Sequence, residues 1–141
     1  MAHDVVLNPS DAEALVEQML QAAGVVADEA ALVAAHLVDA EARGYGSQGL
    51  MRVATCVRWA RGGEIASPTH VTVERDSGAA LLIDAHQGWG HVAALRAMHM
   101  CVERAEATGA CLAVVRNITH IGRLGYYVEA AAAAGMIGLI A

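Results

Sequence analysis

The chain has 141 residues, a net charge of −6 and 56% hydrophobic residues, which is enough for one domain with a buried core. The acidic balance argues against a nucleic-acid partner, because phosphate binding requires a basic surface. No apolar run reaches the roughly 18 residues that cross a bilayer, so we expect no membrane partner. No signal peptide is visible either, and we expect a cytoplasmic protein.

The cysteines and the basic residues narrow the chemistry further. Cys56, Cys101 and Cys111 are odd in number and lack a CxxC spacing. We interpret them as small buried hydrophobic residues in a reducing cytoplasm, with a redox or metal role as the alternative. All nine positive charges are arginines, which excludes a mechanism that forms a Schiff base on lysine.

The first predicted element is a helix with a capping box. Ser10 followed by Glu13 predicts a helix that begins there and runs to about Ala23, where Gly24 ends it. The helical spacing of its larger apolar residues predicts a buried face formed by Leu15, Met19 and Leu20.

Two further helices are predicted in the N-terminal part of the chain. The second runs from about residue 28 to 43, and we interpret His36 within it as a structural residue rather than a ligand. The third covers residues 48–61, with Ser47 as its N-cap and Gly62-Gly63 at its end. The N-terminal third is therefore predicted to be entirely helical.

The pattern changes from helical to alternating after Pro68. Residues 70–74 alternate in polarity as a half-buried strand does, residues 75–78 are typical of a turn, and residues 79–85 form a second apolar run. These features predict a β-hairpin.

A long helix is predicted after the hairpin. The glycine-bracketed sequence of residues 88–91 is typical of a tight helix entry, and Gly109 follows the predicted end near Thr108. A dinucleotide-binding glycine motif is not supported, because the third glycine is missing. The helical spacing predicts a buried face formed by Leu95, Met98, Val102 and Ala105.

The C-terminal thirty residues predict a strand, a polar loop, a helix and a second strand. The strand covers residues 112–116, the loop 117–123 and the helix 124–134, and residues 136–141 are a second apolar run. A parallel pair with a right-handed crossover follows from this order, and the chain is expected to be truncated inside a sheet.

These elements together predict the fold class. We expect an α/β (α+β) chain in which residues 1–67 form a helical segment. Residues 68–141 are expected to form a mixed sheet flanked by helices, as part of a cofactor and substrate domain.

Two stretches combine polar side chains with glycine. In residues 43–52, Ser47 and Gln48 lie at a predicted helix start, and Arg52 follows one turn later on the face of Gln48. An arginine beside a helix N-terminus can hold a substrate carboxylate through two hydrogen bonds. The alternative is an ordinary helix cap followed by a surface arginine.

The second stretch is the loop of residues 117–125, which leaves the carboxyl end of its strand, where open α/β sheets bind ligands. His120 is the side chain there that exchanges a proton near neutral pH, and Thr119 and Arg123 flank it. The alternative is a structural or solvated histidine. No Ser/His/Asp set can be assigned, and the other histidines do not have the spacing of a metal site, so no metal is predicted.

Four segments together resemble one family. They are AAHLVDAEARGYGSQGLMR (residues 34–52), RGGEI (61–65), DAHQGWGHVAALRAM (84–98) and NITHIGRLGYYVEAAAAAGMIGL (117–139). In this order they resemble the malate/L-lactate dehydrogenase family of NAD(P)-dependent oxidoreductases. The resemblance implies a homodimer with a non-Rossmann cofactor fold. It also implies that hydride from NADH or NADPH reduces a small-molecule 2-oxo acid to a 2-hydroxy acid, or reduces a cyclic imine.

The resemblance also implies roles for individual residues. Gln48 stands where the family has its catalytic histidine, and a carboxamide cannot exchange a proton at neutral pH. Arg52 keeps the family's arginine and, with Ser47, would bind substrate, whereas Cys56 replaces a tyrosine. Near the NAD or NADP cofactor, the family's second motif is matched by His120, Gly122, Gly125 and Tyr126.

Other functions stay open. Gln48 and the short length, less than half that of family members, favour a truncated or catalytically silent paralogue with a binding or oligomerisation role. A small acidic α/β binding domain outside the family is a third possibility, against which the order of the motifs argues. An exposed edge strand and apolar surface are expected to make the chain self-associate.

Overall fold

The computed structural model describes residues 6–141, so residues 1–5 of the predicted helical segment lie outside the described range. Five α-helices and three strands lie within it. The helices are α1 (Pro9–Ala22), α2 (Ala27–Ala42), α3 (Val53–Gly62), α4 (Gly90–Thr108) and α5 (Gly125–Ala133). The strands are β1 (Thr72–Asp76), β2 (Ala80–Asp84) and β3 (Leu112–Arg116). The predicted fold class is confirmed; the division at residue 67 stays a prediction.

The start of α1 differs from the capping-box prediction. Asn8 is the N-cap, and its side chain accepts a hydrogen bond from the Ser10 backbone N–H at 3.2 Å. Pro9 occupies the first helical position, where its fixed φ and missing N–H suit a helix start. Ser10 is therefore inside the helix instead of capping it.

The buried face of α1 is only partly the predicted one. Leu20 is buried, but Leu15 and Met19 are 50% and 41% exposed. The residues that face α2 are smaller, and small side chains allow the two helices to approach each other closely. The buried stripe is Ala12, Val16 and Leu20.

The predicted third helix begins five residues late. Two 3₁₀ turns, Gly46–Gln48 and Leu50–Arg52, precede α3, and Ser47 caps no helix. Gly49 between the turns has a non-helical ψ of −140°, because its Cα packs directly on the backbone of Glu41 in α2. Gln48 and Arg52 therefore do not share the face of one α-helix. The predicted end is confirmed, with Gly63 in the left-handed conformation.

The predicted hairpin is confirmed as β1 and β2, which pair antiparallel with a bulge between Val73 and Arg75. β2 pairs in parallel with β3, in the sheet order β1-β2-β3, and α4 is the crossover between them. Ile83 and Val115 are partners in this pair. The parallel arrangement brings the carboxyl ends of β2 and β3 to the same edge of the sheet.

The predicted long helix α4 is confirmed, but it is rotated from the predicted orientation. The predicted face is half-buried, and most of it lines an apolar groove of about 760 Å³ between α4, β3 and residues 135–141. Apart from His91 in the first turn, the buried side chains are small, because small side chains let α4 lie close to its neighbours. These residues are Val92, Ala93, Ala94 and Ala97.

The predicted C-terminal strand is wrong. Residues 136–141 have no regular secondary structure, and although alternate residues are exposed, the segment pairs with no strand of the described chain. Gly138 packs on Val128 and on Ala131 of α5, and a helix surface offers no free backbone groups for a ladder. The predicted parallel crossover over residues 112–141 is therefore absent from the described chain.

Two buried clusters hold the fold together. The larger lies between α1, α2, α3 and the start of α4, with Leu20, Leu37 and Trp89 fully buried. The smaller packs Leu81 and Ile83 of β2 against α4. None of the helices within residues 6–141 combines the length and the apolarity that a membrane crossing needs.

Candidate functional site

The structure brings the two predicted polar stretches into direct contact. Nε2 of His120 lies 2.9 Å from Oε1 of Gln48, although the residues are 72 positions apart in the sequence. With Oε1 as the facing atom, the imidazole carries a hydrogen on Nε2 and donates it to the carboxamide. The His120 imidazole, which is titratable, and the Gln48 carboxamide that contacts it therefore form the centre of the candidate site.

Gln48 is held in place by the contact between Gly49 and α2. The Leu50 backbone N–H donates a hydrogen bond to the Glu41 carboxylate at 2.9 Å. Any side chain at position 49 would overlap the backbone of Glu41. The glycine thus allows the segment to lie against α2 and places the Gln48 side chain toward the loop that follows β3.

His120 is positioned by the residues that begin α4. The Thr119 hydroxyl accepts a hydrogen bond from the Gly90 N–H and donates one to the Gly88 carbonyl, both at 2.8 Å. A Cβ on Gly90 would overlap the carbonyl oxygens of Thr119 and His120. Close packing of a glycine on the loop backbone therefore fixes the position of His120.

The loops after β2 and β3 are also tied to each other. Asp84 accepts hydrogen bonds from the His86 N–H and from the Asn117 side chain, both at 2.7 Å. The Gln87 N–H donates to the Asn117 carbonyl at 2.8 Å. These bonds hold the two loops at one edge of the sheet, which is the position expected for a ligand site in an open α/β sheet.

Arg52 lies close enough to His120 to influence its protonation. Its Nε donates a hydrogen bond to the Ser47 carbonyl at 2.8 Å, and no carboxylate of residues 6–141 is within ion-pair distance of its guanidinium. Burial lowers the pKa of His120 below its ordinary value, and the positive charge of Arg52 lowers that pKa further. The Arg52 cation is thus available to an anionic ligand beside a neutral imidazole.

Two further histidines lie behind His120. The rings of His36 and His91 are both buried and meet edge to face, with centroids 4.7 Å apart, and His91 is 6.1 Å from His120. Burial, followed by the charge of Arg123, lowers the pKa of His36 to about 4. Burial also holds the pKa of His91 well below its ordinary value. The prediction that His36 is structural agrees with this position, because its Nε2 accepts a hydrogen bond from the Arg123 N–H at 2.9 Å.

Arg123, which the sequence places in the polar loop, is buried and paired. Its guanidinium contacts Asp39 at 2.6 Å and Glu129 at 3.1 Å. Burial alone would raise the pKa of Asp39, but hydrogen bonds from Arg43 and Arg123 outweigh it and hold that pKa below its ordinary value. Arg123 therefore ties the loop to α2 and α5, and its charge is already neutralised by carboxylates.

The residues predicted near a cofactor occupy different surroundings. His120 lines a cavity, whereas Gly122 packs against the rings of His36 and His91 and Gly125 packs against the Arg123 guanidinium. The Tyr126 ring is half-buried on His36, with centroids 4.5 Å apart. These contacts give each residue a packing role, and their role toward a cofactor stays a prediction.

The cavity beside His120 has a volume of about 220 Å³ and contains two residues that the sequence reasoning missed. Trp59 and Glu64 line it together with Ile65, Thr119 and His120. The Trp59 and His120 rings are 6.3 Å apart. No local pattern in the sequence identifies them, because only the folded chain places the end of α3 beside His120.

The prediction that the cysteines are buried agrees with the structure for one of the three. Cys56 is fully buried, and burial raises the pKa of its thiol to about 11, which makes it unreactive. Cys101 and Cys111 are only half-buried, and all three are free. Within residues 6–141, no group of three or more metal-ligating side chains is arranged to hold a metal ion.

Comparison with known proteins relates this chain to one family of dehydrogenases. The sequence profile of the family described as malate/L-lactate dehydrogenase matches residues 7–141. An L-sulfolactate dehydrogenase of Methanothermobacter thermautotrophicus is 32% identical over 134 residues, which cover 95% of this chain. Hydroxycarboxylate dehydrogenase B of Escherichia coli K12 is 33% identical over 124 residues, or 88% of this chain.

Comparison with solved structures relates the chain to dehydrogenases as well. A malate dehydrogenase from Pyrococcus horikoshii OT3 superposes with a TM-score of 0.90 and 30% identity over 93% of this chain. The chain covers 38% of that structure, and it covers 39% and 34% of the two curated relatives. It thus spans less than half the length of the proteins that it matches.

Proposed function

Since the chain belongs to the malate/L-lactate dehydrogenase family, we propose that it supplies substrate-binding and proton-transfer residues for the NAD(P)-dependent reduction of a 2-oxo acid to a 2-hydroxy acid. The observation that carries this proposal is the contact between Gln48 and His120 beside the cation of Arg52, which has no ion-pair partner among residues 6–141. An anion-binding group next to a titratable one is what reduction of a 2-oxo acid requires. A cyclic imine is the alternative acceptor.

Arg52 binds the substrate carboxylate in this proposal. A guanidinium offers two parallel N–H donors that match the two oxygens of a carboxylate. Because Nε is already bonded to the Ser47 carbonyl, the guanidinium is held in one orientation and its terminal nitrogens are left for the substrate. Ser47 thus serves substrate binding through its backbone carbonyl.

His120 supplies the proton in its imidazolium form, because a substrate carboxylate at Arg52 offsets the positive charge that lowers the pKa of His120. Nε2–H is donated to Gln48, so Nδ1–H is the proton that is transferred. When hydride reaches the carbonyl carbon, negative charge develops on the oxygen, and a positioned acid must protonate it. Gln48 cannot exchange a proton, but its NH₂ group can donate a hydrogen bond to that oxygen while Oε1 orients the imidazole. In this proposal His120 is the proton donor, in place of the histidine that the family has at position 48, and Gln48 orients the His120 ring.

NAD or NADP would supply the hydride in the complete site. The chemistry of the side chains fits such a cofactor, because Arg52 and His120 provide the anion binding and the proton that accompany hydride transfer to a carbonyl. Within this chain, we propose that the cofactor is held at His120 and Gly122 and at the first turn of α5, where Gly125 and Tyr126 lie. Gly122 and Gly125 would contribute backbone groups, since their Cα atoms face internal side chains.

We propose a cytoplasmic homodimer that acts on a small molecule, with no nucleic-acid or membrane partner. The homodimer rests on the family resemblance, and the small-molecule substrate rests on the cavity at His120. A catalytically silent paralogue with a binding or oligomerisation role is the second candidate. The presence of Gln48 where the family has a histidine favours that alternative.

Oxidation of NADH and NADPH with pyruvate, oxaloacetate and a cyclic imine tests the proposal, and calorimetric binding of oxamate gives a readout without cofactor. We expect His120→Gln to lower kcat by about 10²- to 10⁴-fold, the usual contribution of general acid catalysis. Arg52→Ala should mainly weaken binding of the 2-oxo acid, and Gln48→His should raise the rate by adding a second acid. Arg58→Ala, on the exposed side of α3, is the control.

Two outcomes would contradict parts of this proposal. Unchanged kcat in His120→Gln would show that another group supplies the proton. Failure of the unsubstituted protein to bind any 2-oxo acid would remove the proposed function and leave the silent paralogue.

A further inference from the structure

The cavity beside His120 has an acidic and aromatic wall. Glu64 and Trp59 line it with His120, and no cation of residues 6–141 lies within ion-pair distance of the Glu64 carboxylate. Its volume of about 220 Å³ is far above the roughly 10–15 Å³ that one water needs, so a substrate side chain can enter it.

The backbone holds Glu64 at this wall. Gly63 adopts the left-handed conformation with φ of 69°, and the Glu64 N–H donates a hydrogen bond to the Trp59 carbonyl at 3.0 Å. Ile65, the next residue, is buried in the larger core cluster. Glu64 is therefore anchored on both sides in the sequence, while its own side chain is exposed.

The cavity at His120 lies next to the segment that holds Arg52. The Arg52 guanidinium is bonded to the Ser47 carbonyl, and the next residue, Gln48, contacts His120 at 2.9 Å. Glu64 lines the cavity on which His120 opens. A ligand with its carboxylate at Arg52 would extend its other end toward Glu64 and Trp59. A carboxylate and the face of an indole both attract a positive charge, and the carboxylate repels a negative one.

We propose that Glu64 and Trp59 select 2-oxo acids that carry a cationic side chain, an ammonium or a guanidinium, over neutral and dicarboxylic 2-oxo acids. This inference rests on the proposed function, because it assumes that Arg52 binds the 2-oxo acid head. It assigns the choice of substrate to Trp59 in the last turn of α3 and to Glu64 just after that helix, and neither residue takes part in the proton transfer itself.

Calorimetric dissociation constants for three 2-oxo acids that differ in the charge of the side chain test the inference. They are 2-oxo-5-guanidinopentanoate, the neutral 2-oxohexanoate and the dicarboxylate 2-oxohexanedioate. We expect the cationic ligand to bind most tightly and the dicarboxylate most weakly. Glu64→Gln should reduce the preference for the cationic over the neutral ligand by about two- to fivefold, the size of an exposed ion pair, because the cation–π contact with Trp59 remains.

Three further variants complete the design. Glu64→Lys should reverse the order and favour the dicarboxylate, and Trp59→Leu should weaken only the cationic ligand. Glu106→Gln, the same change at an exposed position on α4, should leave all three dissociation constants unchanged. Glu64 is exposed, so its substitutions should fold normally.

The outcomes separate this inference from the proposed function. If 2-oxohexanoate binds, but the unsubstituted protein and Glu64→Gln show the same preference among the three ligands, the inference is wrong and the proposed function stands. A preference of the unsubstituted protein for the dicarboxylate would do the same. Absence of binding for all three ligands would overturn both.

Discussion

At the scale of single residues, the site depends on which protonation states burial allows. His36 and His91 are packed ring against ring behind His120, and burial keeps both in the neutral form. A neutral imidazole can accept the Arg123 N–H, as His36 does, whereas an imidazolium has no free acceptor. The position of the loop that carries His120 is therefore linked to pH.

We predict that the protein loses stability as the pH falls from about 6.5 to about 4. In this window the unfolded chain binds a proton at His36 that the folded chain, with a pKa of about 4, does not bind. The free energy of unfolding therefore rises with pH across the window, by at most about 3 kcal/mol from this residue. His91 acts in the same direction, because its pKa is also lowered by burial.

Chemical denaturation at several pH values between 4 and 8 measures this effect. His36→Gln should flatten the pH dependence, since the carboxamide can accept the Arg123 N–H but does not titrate. His99→Gln, the same change at an exposed histidine of α4, is the matched control and should retain the slope. An equal slope in both variants would contradict the assignment to His36.

At the scale of elements, most helices and strands were predictable because each depends on local pattern. The hairpin, α4 and the strand β3 follow from alternation, apolar runs and glycine stops that lie within the elements themselves. The start of α3 was not predictable, because Gly49 is displaced from helical geometry by Glu41 of another helix. Tertiary contacts override local propensity there.

The C-terminal segment is a second place where tertiary contacts override the local sequence pattern. Residues 136–141 have the composition of a strand, but a strand exists only where a neighbour offers backbone hydrogen bonds.

The candidate site was predictable in part, since the sequence identified Gln48, Arg52 and His120 as candidates. It did not identify Trp59 or Glu64, because only the folded chain places α3 against the loop after β3.

Packing of the loop on α2 and α4 leads to a prediction at Gly122. This residue has φ of 69°, and a Cβ there would overlap Nε2 of His36 and lie close to His91. We expect Gly122→Ala to lower the free energy of unfolding by about 2–4 kcal/mol, the range for backbone strain combined with overpacking.

A matched control separates the two causes. Gly135 has a similar φ of 74°, but a Cβ there would meet no atom within 4 Å. Gly135→Ala should therefore show the strain alone, about 1 kcal/mol. Urea denaturation of both variants makes the comparison, and equal losses would show that contact with the histidines contributes nothing.

At the scale of the whole molecule, apolar surface is concentrated around the C-terminal segment. Ile137 and Leu139 are 101% and 92% exposed, and Leu112 and Val114 of the edge strand β3 are more than half exposed. Leu112, Ile137 and Leu139 line the groove between α4, β3 and residues 135–141. Contiguous apolar surface beside an unpaired strand edge favours association.

We predict that the protein self-associates at tens of micromolar through this surface. The double substitution Ile137→Gln and Leu139→Gln should shift the protein toward monomer in sedimentation velocity, while the helical content measured by circular dichroism stays unchanged. Leu15→Gln, at a 50% exposed position on α1, should not shift it. A monomeric unsubstituted protein with ordinary thermal stability would contradict the prediction.

The connections between α2 and the loop after β3 also determine when the site can form. Gln48 and His120 are 72 positions apart, and His36 and Arg123 are 87 apart. Closing such large loops costs chain entropy before any contact compensates for it, so contacts of this range form late in folding. The hairpin and the pair of α1 and α2 join neighbouring segments and can form early. The acid, its amide partner and the arginine should therefore come together in the last kinetic step, and a slow folding phase would coincide with the appearance of ligand binding.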